Sequence, residues 1–195
     1  MKIDNELIKE SAVRFIIISG LIIVAGYYLY QNSVFIPTHW PFQFLVSGII
    51  VGIAYAAFSK NHFSTGAAIL FVWYIILTSW ISDHNTWVLI LEGTYITIFS
   101  ASVYLYIKII QKYEIENILI RIIISAVLFG IINSLIVVIL SLFSPQILLT
   151  NFQRVLSPMM LNFGIGTGIG LFFGIGVKLS DSFVKSVLMQ NKITG

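Results

Sequence analysis

The stretch SPMMLNFGIGTGIGLFFGIGVKL, residues 157–179, decides how this chain is read. Six glycines fall within thirteen residues, at Gly164, Gly166, Gly168, Gly170, Gly174 and Gly176. Taken at a spacing of four, Pro158, Asn162, Gly166, Gly170, Gly174 and Lys178 share one helix face, because residues i and i+4 stack along a helix. In water each such glycine would cost a helix about 1 kcal/mol relative to alanine. Inside a bilayer the backbone must pair with itself, and small residues four apart let a second helix approach backbone to backbone. The segment is therefore expected to be a transmembrane helix with a neighbour against its bare face.

Composition extends that reading to the whole chain. Of 195 residues, 58% are hydrophobic and 10% charged, with a mean hydropathy of +0.96. An ordinary soluble domain carries about a quarter charged residues, so this is an integral membrane protein and all-α. The apolar runs follow one another without a long polar region, which implies one transmembrane domain over 1–195. No cysteine is present, which excludes disulfides, thiolate metal sites and cysteine nucleophiles. A net charge of +3 beside membrane helices reflects topology rather than nucleic-acid binding.

A hydrocarbon core about 30 Å thick takes about 20 apolar residues per helix. On that ruler six spans are expected: Phe15 to Tyr30, Phe42 to Phe58, Thr65 to Ile81, Trp87 to Ile107, Ile118 to Phe143 and Pro158 to Leu179. With the N-terminus inside, the inner face holds Lys2, Lys9, Arg14, Lys60, Lys108, Lys112, Arg121, Lys178, Lys185 and Lys192, and the outer face only Arg154. The excess of cations on one side predicts both termini in the cytoplasm and a multi-pass protein of the cell membrane. The second span repeats the small-residue device at Gly48, Gly52 and Ala56, which makes it the expected close partner of the sixth.

Polar residues within the spans mark candidate sites. Glu92 is the one acid inside an expected span, and an ionisable group at such depth normally faces a cavity, a partner or a substrate path. Asn133 falls near the middle of span five and Asn162 in the outer half of span six, where an amide either joins helices or orients a ligand. Trp80 and Trp87 flank the same end. Together Glu92, Asn133, Asn162, Trp80 and Trp87 predict a ligand pocket in the outer half of the bundle. His39, Asp83 and His84 lack a metal-binding spacing, so no metal or other cofactor is expected. Neither HExxH, GxSxG nor a Walker loop occurs, and an enzyme is not expected.

Residues 1–14, 178–195 and the connection from Lys108 to Arg121 mix charges with apolar residues, as expected of amphipathic cytoplasmic segments that lie on the membrane or dock a partner. In length, in its six-helix layout with both termini inside and in its outward pocket, the chain resembles the substrate-binding subunits of energy-coupling factor transporters. Those bind vitamins or metal ions and dock through small residues to a transmembrane coupling subunit. The resemblance covers topology and no motif: Gly20 and Ala25 do not reproduce the alanine-based docking pattern. It implies a small-solute binding or transport subunit. The alternative is a non-transporting anchor, sensor or assembly subunit acting through helix packing, with a membrane or cytoplasmic partner or a second copy of itself.

Overall fold

The structure, a computed structural model, describes residues 5–32, 40–59, 86–143 and 152–193. They form five α-helices: α1 (Asn5–Asn32), α2 (Trp40–Phe58), α3 (Thr86–Lys112), α4 (Ile118–Phe143) and α5 (Phe152–Ile193). The expected third span, Thr65 to Ile81, lies outside the described residues. Span five agrees with α4 at both ends, whereas α5 runs on from the glycine-rich stretch to Ile193 without a break. Residues 178–193 continue the last helix without a break. The connection from Lys108 to Arg121 is no surface helix; it is the end of α3, a tight turn and the start of α4.

Neighbouring helices close a ring. α1 packs on α2, α2 on α3, α3 on α4, α4 on α5, and α5 returns to α1, with the most extensive contact between α4 and α5. The pairs α1–α2, α3–α4, α4–α5 and α5–α1 are antiparallel, while α2 and α3 run in the same direction, with Tyr55 and Tyr106 at one level against Phe173. Ser59, after α2, and Thr86, opening α3, therefore sit at opposite ends of the bundle.

Phe99, Phe129 and Phe173 are among the largest fully buried side chains and form the centre. Phe129 lies 5.1 Å from Phe173 and 6.3 Å from Phe99 between ring centroids. Tyr55 and Tyr106 stand edge-on to Phe173 at 5.5 and 5.1 Å. Offset and edge-to-face pairs like these add to area burial because the ring quadrupoles attract.

The glycine row meets α4, not α2. A Cβ on Gly170 would lie 2.8 Å from Phe129 Cβ and 2.9 Å from Ala126 Cα, and one on Gly174 would lie 3.0 Å from Ile122 Cα. Gly166 faces the Phe129 backbone and Asn133. Gly48 and Gly52 instead receive Ser19, Ile23 and Phe15 of α1. The expected pairing of the two small-residue rows is thereby corrected: each row admits side chains and backbone of a different neighbour. Two bare faces placed together would bury little area, whereas a bare face against Phe129 or Ile23 fills space.

The opposite face of α4 carries Leu119, Ile123, Val127, Ile131, Leu135 and Val138, all exposed. At about 1.5 Å per residue this apolar stripe extends about 28 Å, close to the thickness of a bilayer core. Soluble monomers do not expose such a surface. Four helices are long and apolar enough to cross a membrane, and the shorter Phe44–Phe58 segment of α2 is apolar as well.

Candidate functional site

Charged side chains converge where α1 begins, α3 ends, α4 begins and α5 leaves the glycine row. Arg14 donates from Nη1 to Asp181 Oδ1 across α1 and α5. Its Nε and Nη2 donate to Glu10 Oε1 at 3.2 and 3.0 Å, one turn back on the same helix. The Arg14 side chain is 12% exposed and that of Asp181 31%. The guanidinium also stands 5.8 Å from the Tyr55 ring centroid. A cation so enclosed requires its partners: an unpaired buried charge costs several kcal/mol.

Arg121 is positioned by the turn that precedes it. Glu114 takes a positive φ of 47°, and Ile115 N–H reaches back to the Ile110 carbonyl at 3.2 Å, the closing bond of a Schellman cap. Asn117 then caps α4, its Oδ1 accepting from Leu119 N–H at 2.9 Å and Ile120 N–H at 3.3 Å. With the turn fixed, the Ile115 carbonyl accepts from Arg121 Nε. One donor of the guanidinium is thus used locally and its outer edge is left for the cavity.

Two cavities open beside these residues. The larger, about 370 Å³, is lined by Tyr106, Glu116, Ile118, Arg121, Gly174, Val177, Lys178, Asp181, Ser182 and Lys185. The smaller, about 210 Å³, is lined by Arg14, Tyr55, Ser59, Ile107, Ile110 and Gln111 and shares Tyr106, Arg121 and Val177 with the first. Buried Tyr106 lines both cavities and buried Tyr55 the smaller. A volume of several hundred Å³ with a few fixed polar groups is the form of a small-ligand site.

The expected outer-half pocket fares differently. Asn133 is fully buried and its Nδ2 donates to the Asn162 carbonyl at 2.7 Å, while Asn162 Nδ2 donates to the Pro158 carbonyl at 2.9 Å. The two asparagines are thus brought together as a bond between α4 and α5, a contact that averages about 0.6 kcal/mol in membranes. Glu92 and Trp87 belong to α3 by their backbone, but their side chains lie outside what the structure describes, as do Trp80, His39, Asp83 and His84 altogether. Along α3, Glu92 is about 21 Å from Tyr106 at 1.5 Å per residue, so its position on the helix is well apart from the charged cavities. Among the described residues no group of three or more His, Asp or Glu could hold a metal ion.

Sequence reasoning missed Arg14, Asp181 and Arg121 as a cluster because it counted each cation only toward orientation. A signal was available. Continuing the glycine row past Gly174 at helical spacing reaches Val177 and then Asp181, and Glu10 precedes Arg14 by one turn.

Helices of this length and apolarity, a lipid-sized stripe on α4 and a charge cluster confined to one end define an all-α membrane protein. No protein-family model, curated protein or solved structure matches the chain.

Proposed function

We propose that the chain is a multi-pass protein of the cell membrane that binds, and as a subunit helps to transport, a small solute in the charged cavities beside Arg121. The carrying observation is the enclosed Arg14–Asp181 pair between two membrane helices, bordering those cavities. Charges within membrane helices are costly and are retained where they face a partner or a substrate path.

Six crossings fit the geometry. Ser59 and Thr86 lie at opposite ends of the bundle, and the apolar run Thr65 to Ile81 between them has the length for one crossing. Lys9, Arg14, Lys108, Lys112, Arg121, Lys178 and Lys185 all belong to the cavity end, while Arg154 begins α5 at the other. The excess of cations makes the cavity end cytoplasmic, with both termini inside.

The test is a thermal-shift screen of small solutes on purified protein. A stabilising solute is expected, with its shift much reduced in Arg121→Gln. Solutes that stabilise the variant as well as the native protein would remove the cavity from the account.

A second reading has one observation in its favour. At 42 residues α5 is about 63 Å long, twice the hydrocarbon thickness. Beyond the glycine row it presents Leu179 and Phe183 exposed between Lys178 and Lys185. Such a surface suits an anchor or assembly subunit that docks a partner. Co-purification of a stoichiometric partner, lost on Phe183→Ser, supports that reading; a solute-binding monomer counts against it.

A further inference from the structure

The larger cavity is basic once its ion pair is set aside. Arg121, Lys178 and Lys185 line it against Glu116 and Asp181, and Asp181 is already engaged by Arg14. Three cations then face one acid. Lys178 and Lys185 are seven residues apart on α5, two turns along one face, with Asp181 between them. Arg121 stands across the cavity on α4, its Nε fixed on the Ile115 carbonyl. Among the described residues no acid pairs with Arg121, Lys178 or Lys185.

The number and kind of donors select the anion. A carboxylate brings one charge and two oxygens, which a single arginine fork satisfies. A phosphate ester brings up to two charges and more acceptor oxygens, and an arginine fork flanked by two ammonium groups matches it. Position agrees with chemistry. Arg121 is three residues into a membrane helix, Ile118 lines the same cavity, and Leu179 is exposed on α5 beside Lys178. Basic pockets between membrane helices at the cytoplasmic boundary are places where phosphate head groups bind.

We infer that this cavity binds a phosphate ester, with Arg121 as the bidentate donor and Lys178 and Lys185 as flanking cations. Glu116, at the same wall, accepts a hydrogen bond from a hydroxyl or amine of the bound molecule. The inference rests on the reading of this cavity as the solute site and names the chemistry that the site takes. The ester reaches it either as the head group of a phospholipid, from the bilayer past Ile118, or as a soluble phosphate ester from the aqueous side.

Two probes separate the sources. Native mass spectrometry of the detergent-purified protein with added phosphatidic acid reads the lipid arm; thermal-shift titration with glycerol 3-phosphate and inorganic phosphate, with glutamate as the carboxylate control, reads the soluble arm. Each is run on the native protein, on Arg121→Gln, and on the double variant Lys178→Gln, Lys185→Gln, whose exposed side chains hold no partner that folding needs. Lys108→Gln, outside the cavity, serves as the control for lost charge.

At least one phosphate probe is expected to bind, with apparent affinity at least tenfold weaker in both cavity variants and unchanged in Lys108→Gln. Retained phosphatidic acid identifies the lipid source, and a glycerol 3-phosphate shift the soluble one. Binding of either probe that is indifferent to the cavity variants, or equal binding of glutamate, overturns the inference. If neither phosphate probe binds while another solute stabilises the protein through Arg121, the inference falls and the solute-binding reading stands. If nothing binds, both fall.

Discussion

Arg14 on α1 and Asp181 on α5, 167 residues apart in sequence, form an ion pair that ties the first helix to the last. The contact closes the helical ring at the cavity end, where α1 and α5 would otherwise be joined by packing alone. Closely placed Ile18 and Gly176, whose added Cβ would meet Ile18 Cα at 3.3 Å, continue the same seam toward the middle of the bundle.

That pair is testable by a double-mutant cycle. Asp181→Asn removes the charge that Arg14 was built to meet, and Arg14→Gln leaves Asp181 facing the cavity alone. Each single variant is expected to lose about 2 kcal/mol, and the coupling between them to be about 1–3 kcal/mol, because neighbours in one network are not additive. Thermal unfolding in detergent reads both. Additive losses would show that the two side chains act independently.

The glycines divide into two groups by what stands opposite. Gly170→Ala drives a methyl into Phe129 Cβ and Ala126 Cα, neither of which can turn aside, and is expected to cost about 1–3 kcal/mol, a drop of several degrees in Tm. Gly168→Ala meets nothing within 4 Å and is expected to leave Tm unchanged or slightly raised. Equal effects of the two substitutions in the same melting experiment would mean that the α4–α5 approach is looser than described.

The turn before α4 offers a substitution in each direction. Glu114 occupies the left-handed region, which costs a residue with a Cβ about 1 kcal/mol, so Glu114→Gly is expected to stabilise by up to that amount. Asn117→Ala removes the cap from two backbone N–H groups and is expected to destabilise by about 1 kcal/mol. Because this turn supplies the carbonyl that holds Arg121, Asn117→Ala is also expected to weaken ligand binding through Arg121 position, without touching the ligand.

Much of the architecture was legible in the sequence. The apolar run Ile118 to Phe143 is a helix at those same ends, its start capped by Asn117. The close approach at Gly166, Gly170 and Gly174 follows from their spacing. Their partner did not, because a bare helix face specifies that something comes near but not which side chain fills it; Phe129 and Ser125 carry no outward sign of that role. The candidate site was legible only in part. Asn133 and Asn162 are in contact, the Asn133 amide donating to the Asn162 backbone carbonyl, yet a lone polar residue in a span reads equally as ligand contact or as packing. The charge cluster was obscured because orientation counting treats Arg14, Arg121 and Lys178 as a sum, and only the three-dimensional return of α5 to α1 brings Asp181 beside Arg14.

The central claim is that the charged cavity is a water-accessible site at the cytoplasmic end of the bundle. Ser182 lines it and the chain has no cysteine, so Ser182→Cys places a single, nearly isosteric thiol there. Labelling with a membrane-impermeant maleimide is the direct measurement. The thiol is expected to stay unlabelled in intact expressing cells and to react rapidly once the membrane is permeabilised. Labelling from outside intact cells, or a thiol inert even in detergent, would contradict the account.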